Sequence, residues 1–170
     1  MGTGRVLSGA GLAAVLAAVT VALLANTSNP PSGQSASPEL RIPAALAGTP
    51  LISTLRGTEA LEAIARLHGR KIDAVDAAVV RYAGGITVWI GASSSPLRAA
   101  ALLWRMNRSM AGGTQGFSAP RPQQRRGRTV FVTDGLDRRH AYYQSGRFVL
   151  WIASAADVGE ALEDLLDFYP

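Results

Sequence analysis

Residues 75–92, VDAAVVRYAGGITVWIGA, contain two apolar runs separated by a short glycine-containing connection. The runs at 75–82 and 86–92 are rich in β-branched and aromatic residues, which favour strands, and residues 83–85 are typical of a tight turn. Strands joined by so short a turn pair antiparallel. This stretch therefore predicts a β-hairpin, and the sheet built around it decides the fold class.

A helix is predicted on each side of the hairpin. On the N-terminal side, Thr58 reads as an N-cap, and an apolar stripe runs from it to His68 and Gly69. On the C-terminal side, Ser95 is a capping residue and Pro96 is tolerated at the first helical position. The apolar face of this second helix comprises Ala99, Leu102, Leu103, Met106 and Met110, and its other face carries Arg98, Arg105 and Arg108.

The C-terminal part of the chain predicts three more strands and a last helix. The strands lie near 129–133, 138–144 and 147–153, and the helix starts at Asp157, with Glu160 three residues later as an analogue of a capping box. Together these elements predict an α+β domain. We expect an antiparallel sheet of about five strands, with two or three helices packed on one face.

A weak internal duplication appears at a fixed offset of 62 residues. It relates two units that each consist of a hairpin followed by a helix, and it would place two ββα copies in one sheet. Chance similarity between two amphipathic units is the alternative, because the same periodicities generate many coincidences. The matching pairs are Gly84–Gly146, Val88–Leu150, Trp89–Trp151, Ile90–Ile152, Ala99–Ala161 and Leu103–Leu165.

The N-terminal segment predicts a membrane anchor over residues 1–25. Residues 6–25 carry no charge, and as a helix they would span about 30 Å, which is the thickness of the hydrocarbon core of a bilayer. Arg5 precedes this segment and the next basic residue is Arg41, so the charge bias places the N-terminus in the cytoplasm. A cleaved signal peptide that ends near Ala25 is the alternative.

The remaining chain divides into a linker and a domain. Residues 26–38 are rich in Ser, Asn, Pro and Gly, a composition typical of a flexible tether. Residues 39–170 form the predicted α+β domain, on the periplasmic or extracellular side of the membrane.

The composition argues against metal and cofactor chemistry. The chain has no cysteine, which excludes disulfides, thiolate nucleophiles and cysteine-based metal sites. His68 and His140 are its two histidines, and neither stands in a metal-ligand spacing. His68 reads as a residue at a helix C-terminus, and His140 reads as a neutral histidine on the surface of a strand. We therefore expect no metal and no cofactor.

No familiar catalytic motif is present either. Ser93, Ser94 and Ser95 are not flanked by a nucleophile elbow, and capping of a helix explains the run. The glycines at 112–116 are not followed by the Lys-Ser or Lys-Thr pair of a phosphate-binding loop. We therefore predict no catalytic residue and expect that the protein is not an enzyme.

Charge is the first feature that suggests a binding surface. From Arg98 to Arg147 the chain contains ten arginines and two acids, whereas residues 157–170 contain five acids and no base. On the predicted side of the membrane, anionic lipid or an acidic protein is a better partner than nucleic acid, which we do not expect. A solvated loop is the alternative. The candidate partner-binding arginines are Arg121, Arg125, Arg126, Arg128, Arg138 and Arg139.

Trp89 and Trp151 are the second such feature. If the alternate residues of their strands face the helices, both tryptophans lie on the opposite face of the sheet, which no predicted helix covers. Exposed aromatic patches usually mark interfaces. The alternative is that the apolar residues 40–55 fold over this face and complete the core.

Two functional hypotheses follow. The first is a non-catalytic, membrane-anchored accessory or scaffold subunit of a larger membrane protein complex, for which respiratory and photosynthetic assemblies are plausible hosts. The second is a secreted or periplasmic binding module for a small ligand or lipid. Its cleft would lie between sheet and helices and be lined by Trp89, Tyr142, Tyr143 or Trp151.

Overall fold

The computed structural model describes residues 39–69, 71–113 and 116–170. The predicted anchor over 1–25 and the predicted linker over 26–38 lie outside these residues. None of the described helices has both the length and the apolar character to cross a bilayer. The elements are β1 (Ala45–Leu46), β2 (Thr49–Arg56), α1 (Gly57–His68), β3 (Asp76–Tyr82), β4 (Thr87–Ala92), α2 (Pro96–Met110), β5 (Arg121–Arg125), β6 (Arg128–Gly135), β7 (Arg138–Ser145), β8 (Phe148–Ser154) and α3 (Gly159–Phe168).

The described strands form one antiparallel sheet in the order β1-β2-β3-β4-β8-β7-β6-β5. The α+β class and the predicted hairpin are confirmed: β3 and β4 are joined by a short 3-10 turn at Ala83–Gly85. The sheet has eight strands rather than about five, because β1, β2 and β5 extend it at its edges. These three strands are short or largely exposed, so they lack the apolar alternation that reveals a half-buried strand.

One face of the sheet holds the main hydrophobic core, against α3. Strand alternation directs one set of side chains from β4 and β8 to this face, where α3 buries them. Each such side chain stabilises the fold by about 1.5–3 kcal/mol when fully buried. The central members of this core are Val88, Ile90, Leu150 and Ile152 on the sheet and Ala161, Leu162, Leu165 and Leu166 on α3.

Helices α1 and α2 lie on the opposite face, so the prediction that all helices share one face was wrong. Ile64 of α1 is buried against Ala77 of β3, with Trp89 of β4 packed beside them. Asn107 of α2 accepts a hydrogen bond of 2.6 Å from the hydroxyl of Tyr142 in β7. The central strands are apolar at consecutive positions, and both of their faces therefore need a cover.

The strands fit the suspected duplication, whereas the helices do not. The central register of β4 and β8 relates the two hairpins by a local twofold axis that passes between the two tryptophans. A rotation about such an axis, which is perpendicular to the sheet, would put the helix that follows each hairpin on the same face. Helices α2 and α3 instead lie on opposite faces. The paired residues at this centre are Val88–Ile152, Trp89–Trp151 and Ile90–Leu150.

The start of α2 was predicted correctly and the start of α3 was not. The side chain of Ser95 accepts a hydrogen bond of 3.2 Å from the backbone N–H of Arg98, and Pro96 is the first helical residue. Helix α3 begins at Gly159 without a side-chain cap, rather than at Asp157. Val158, the residue before the helix, is 3% exposed and belongs to the core.

Candidate functional site

The predicted arginine-rich loop is a β-hairpin. Strands β5 and β6 pair from Arg121–Val132 to Arg125–Arg128, and the turn between them consists of Arg126 and Gly127. Both turn residues have positive φ, at 48° and 72°. Two such residues form the turn that fits the twist of a two-residue hairpin. Arg126 therefore sits at the tip of the hairpin.

The tip of this hairpin contacts the acidic helix α3. Nε of Arg126 lies 2.7 Å from Glu163, and its Nη1 contacts Asp167. Arg125 lies 3.6 Å from the same Glu163. The hydrogen bond to Glu163 is the main reason why the pKa of Arg126 is raised. Two arginines of the basic stretch thus pair with two acids of the C-terminal helix inside one molecule.

A second group of arginines lies at the other end of β6. Asp134 accepts from Arg139 at 3.1 Å and from Arg121 at 3.2 Å, and the hydrogen bond to Arg139 is the main cause that lowers the pKa of this carboxyl group. Arg138 donates to the carbonyl oxygen of Gly85 at 3.2 Å.

The six arginines therefore do not form one free patch. Arg128, near the hairpin tip, donates to the carbonyl oxygen of Gln144 at 3.3 Å, so each of the six has a partner within the chain. The side chains of the four arginines that pair with carboxylates remain about half exposed, from 47% for Arg125 to 62% for Arg121. An external partner would have to compete with these internal contacts.

Trp89 and Trp151 are half-buried beneath helices, so the expectation that no helix covers their face was wrong. Trp151 is stacked on Tyr142, with ring centroids 4.5 Å apart, and Tyr142 is stacked on Phe131 at 5.4 Å. With Trp89 they form an aromatic row across four strands. These four rings lie on the face of the sheet that α1 and α2 cover.

The alternative prediction, that residues 40–55 cover this face, was also wrong. Instead of folding over the tryptophans, residues 40–55 contribute strands β1 and β2 at the edge of the sheet. Their buried members, Leu40 and Leu46, pack into the core on the α3 side. The hydroxyl of Tyr82 anchors this segment by donating to the carbonyl oxygen of Pro43 at 2.9 Å.

His140 is buried rather than on the surface, with 4% of its area exposed. Its Nδ1 accepts from Nε1 of Trp151 at 2.9 Å, and its Nε2 lies 2.9 Å from the carbonyl oxygen of Gly135. The edge of Phe117 packs against the imidazole ring, with centroids 5.0 Å apart. Burial lowers the pKa of His140, so the ring is neutral at pH 7.

The other candidate groups have structural partners. Ser93 is 1% exposed and donates to the carbonyl oxygen of Asp73 at 3.3 Å. Tyr143, fully buried, donates to the carbonyl oxygen of Leu165, and burial raises the pKa of this phenol. Within the described ranges, no three His, Cys, Asp or Glu side chains converge in a way that would hold a metal ion.

One depression on the described surface is open and charged. It has a volume of about 670 Å³ and lies at the turn between β6 and β7. Its wall includes Asp134, Arg138 and Arg139, which are already paired with one another or with the backbone. The aromatic residues that the sequence suggested for a cleft do not line it, and two of them, Tyr142 and Tyr143, are fully buried.

The outer surface of α2 carries a feature that the sequence reasoning missed. Leu97 is 80% exposed and Trp104 is 60% exposed, and their spacing of seven residues, two helical turns, puts them on one side. The guanidinium group of Arg108 lies 5.3 Å from the centre of the Trp104 ring. On a helical wheel, Leu97 and Trp104 fall on the same side of α2 as its arginines. This spacing is visible in the sequence alone.

Two more arginines border this surface. Arg98 and Arg105 lie 3.6 Å and 3.4 Å from Asp73, and both remain substantially exposed, at 63% and 43%. We call the group of Leu97, Arg98, Trp104, Arg105 and Arg108 the α2 outer face. Comparisons with protein-family models, with curated proteins and with solved structures found no match.

Proposed function

We propose that this protein is a non-catalytic, membrane-anchored accessory or scaffold subunit that docks onto a larger membrane protein complex through its extracytoplasmic domain. The observation that carries the proposal is the α2 outer face, where Leu97 and Trp104 are exposed together and bordered by arginines. Tryptophan and arginine are the residues most enriched at the centres of protein interfaces. The anchor rests on the uncharged N-terminal segment.

The proposed docking surface is the α2 outer face and not the hairpin of β5 and β6. In that hairpin Arg125 and Arg126 already contact Glu163 and Asp167. On the α2 outer face, one carboxylate, Asp73, lies against two arginines, and Arg108 lies over an aromatic ring instead. This surface therefore combines an excess of positive charge, three arginines against one carboxylate, with apolar area, which favours a partner that is apolar at its centre and acidic at its rim.

The test is partner retention by the full-length tagged chain in mild detergent. We expect stoichiometric membrane partners on the wild-type chain and loss of them when Leu97→Ala and Trp104→Ala are combined. Truncating a hot-spot residue of an interface costs about 2 kcal/mol or more, a weakening of at least roughly thirtyfold. The matched control is Leu67→Ala, because Leu67 is 65% exposed on α1 and lies outside the α2 outer face.

Two results would contradict the proposal. One is a native chain that carries no other protein in mild detergent. The other is a partner that the double variant and the Leu67→Ala control retain equally. The intact mass of the same sample tests the anchor separately, because a chain that starts near Asn26 has lost the N-terminal segment and is not held in the membrane by it.

A further inference from the structure

The two edges of the sheet differ in how well they are protected. At one edge, β5 is five residues long and contains Pro122, which has no N–H to donate, between two arginines. Charged side chains and proline are the usual devices that stop another strand from pairing with an edge. The β5 edge is therefore closed to a further strand.

The opposite edge is protected only in part. β1 covers Thr49 and Pro50 of β2, and the N–H of Leu51 donates to the carbonyl oxygen of Ala44 at 3.0 Å. A bulge follows between Leu51 and Ser53. Beyond it, no strand among the described residues pairs with the outer side of β2, from Ser53 to Arg56.

The uncovered part of β2, together with Ile52 in the bulge beside it, carries no charge as far as Leu55. Ile52 is 67% exposed and Leu55 is 41% exposed, although both are large aliphatic residues. Arg56 carries the one charge of the strand, and its guanidinium group donates to the carbonyl oxygen of Leu40 at 3.2 Å. An edge with these properties accepts another strand.

We propose that β2 pairs antiparallel with β2 of a second copy of this chain, which joins the two sheets into one. A second copy fits because each molecule offers one open edge: a symmetric pair satisfies both edges and leaves none for a third molecule. Pairing with β5 of a neighbour would instead produce an open chain of molecules, and the arginines and Pro122 of β5 prevent it.

The symmetry of this pairing makes a specific geometric prediction. The twofold axis of two antiparallel strands in one sheet is perpendicular to the sheet, so one residue of β2 lies opposite the same residue of the other copy. Because β1 and Ala44 already occupy the outer side of β2 up to Leu51, the axis lies at Thr54 or Leu55, and Arg56 then lies opposite Ile52 or Thr54, which carry no charge. The pairing therefore brings no like charges together.

The absence of cysteine from the chain allows a direct test of this geometry. Directly opposed residues of antiparallel strands have Cα atoms about 4.5–5.5 Å apart, which is within reach of a disulfide. Single variants Ser53→Cys, Thr54→Cys and Leu55→Cys are oxidised mildly in the full-length protein. We expect rapid disulfide-linked dimers from the residue on the axis, and none from the control Ser94→Cys, which is exposed at a position remote in sequence from β2.

A charge placed on the edge provides a second test, by molar mass in mild detergent. We expect the wild-type chain, produced alone in a heterologous host so that no native partner is present, to have twice the protein mass of one 17.8 kDa chain, and Ile52→Lys to be a monomer with an unchanged circular dichroism spectrum. Leu67→Lys adds the same charge at a residue of similar exposure and should remain a dimer. A monomeric wild type, a dimeric Ile52→Lys, or equal crosslinking at Ser94→Cys would each overturn the proposal.

Discussion

The indole N–H of Trp151 donates to Nδ1 of His140 at 2.9 Å, across neighbouring strands of the sheet. Because Nδ1 is the acceptor of this bond, the proton of the neutral ring lies on Nε2, which faces the carbonyl oxygen of Gly135 at 2.9 Å. A second proton would put an N–H of His140 against the N–H of Trp151. The pair therefore favours the neutral ring.

The stability of the protein should decrease as the pH falls through the ordinary pKa of histidine. Burial is the largest cause that lowers the pKa of folded His140 below 6.5. As the pH falls, the unfolded chain therefore binds a proton before the folded chain does, and the free energy of unfolding decreases until the pH reaches the lowered pKa. Urea denaturation at about pH 7.5 and about pH 5.5 measures this change.

The control for this prediction is His140→Gln, which keeps a donor and an acceptor and does not titrate. The free energy of unfolding of the variant should change less between the two pH values than that of the wild type. His68 is present in both proteins, and its contribution cancels in the comparison. An identical pH dependence in both would show that His140 is not the titrating group.

Trp151→Phe should raise the pKa of His140. The substitution keeps an aromatic ring against Tyr142 but removes the N–H that now faces Nδ1. Protonation of Nδ1 would then no longer place two N–H groups against each other. It also leaves a buried acceptor unpaired, which costs about 1–3 kcal/mol of stability. NMR titration of the imidazole measures the shift. Trp104→Phe is the control, since Trp104 is 60% exposed on α2, and an equal shift there would contradict the role of the bond.

Gly135→Ala should displace Phe117 and destabilise the fold. A Cβ at position 135 would lie 2.5 Å from Cδ1 of Phe117 and 2.6 Å from the carbonyl oxygen of Gly116, closer than atoms can approach. Relief of such a clash typically costs about 1–3 kcal/mol. Thermal unfolding and near-ultraviolet circular dichroism report the loss, because Phe117 packs against both His140 and Trp151.

Gly112→Ala serves as the matched control for that clash. A Cβ on Gly112 would meet no atom within 4 Å, and Gly112 is not among the described glycines with positive φ. We expect its stability to change by no more than about 0.5 kcal/mol. Equal effects of the two substitutions would mean that the close approach of Phe117 to Gly135 does not matter for the fold.

Ser95→Ala should weaken the start of α2. The side chain of Ser95 accepts from the N–H of Arg98 at 3.2 Å, and loss of such a cap typically costs about 0.5–2 kcal/mol. Ser95→Asp should retain the stability because aspartate caps equally well, and Ser94→Ala should be neutral. Denaturant midpoints of the three variants decide the matter, and a neutral Ser95→Ala would count against the cap.

The central hairpin and the start of α2 could be predicted because their signals are local. The glycines of residues 83–85 permit a tight turn, and Ser95 followed by Pro96 marks a helix start within two residues. Strands β6, β7 and β8 were found for the same reason: each shows apolar or aromatic runs between turn residues. A signal contained in a few neighbouring residues can be read without knowing what packs against it.

The edge strands and the side on which each helix packs could not be predicted in this way. β2 is exposed at most of its positions, and β5 is a polar segment with Pro122, so neither shows a half-buried pattern. The choice of face for α1 and α3 depends on which side of the sheet is left uncovered. That choice is a property of the whole assembly of elements rather than of either helix.

The candidate site was predictable in composition and not in geometry. The sequence shows a basic stretch and an acidic helix, but it does not show that Arg126 meets Glu163, which is 37 residues away along the chain. The spacing of Leu97 and Trp104 on the arginine side of α2, by contrast, is visible in the sequence. The apolar face of the same helix gives a stronger periodic pattern, which reveals the helix but not this outer pair.

Helices cover β4 and β8 on both faces of the sheet, and this affects the order in which backbone amides become accessible to solvent. Since α3 lies on one side of these strands and α1 and α2 lie on the other, their backbone amides are shielded from water in both directions and at both neighbouring strands. The amides of β5 have one free side, and in a single molecule so do those of β2 from Ser53 to Arg56. Solvent hydrogen exchange should therefore progress inward from the β5 edge, and in the monomeric Ile52→Lys variant also from β2, and the amides beside Trp89 and Trp151 should be the last to exchange.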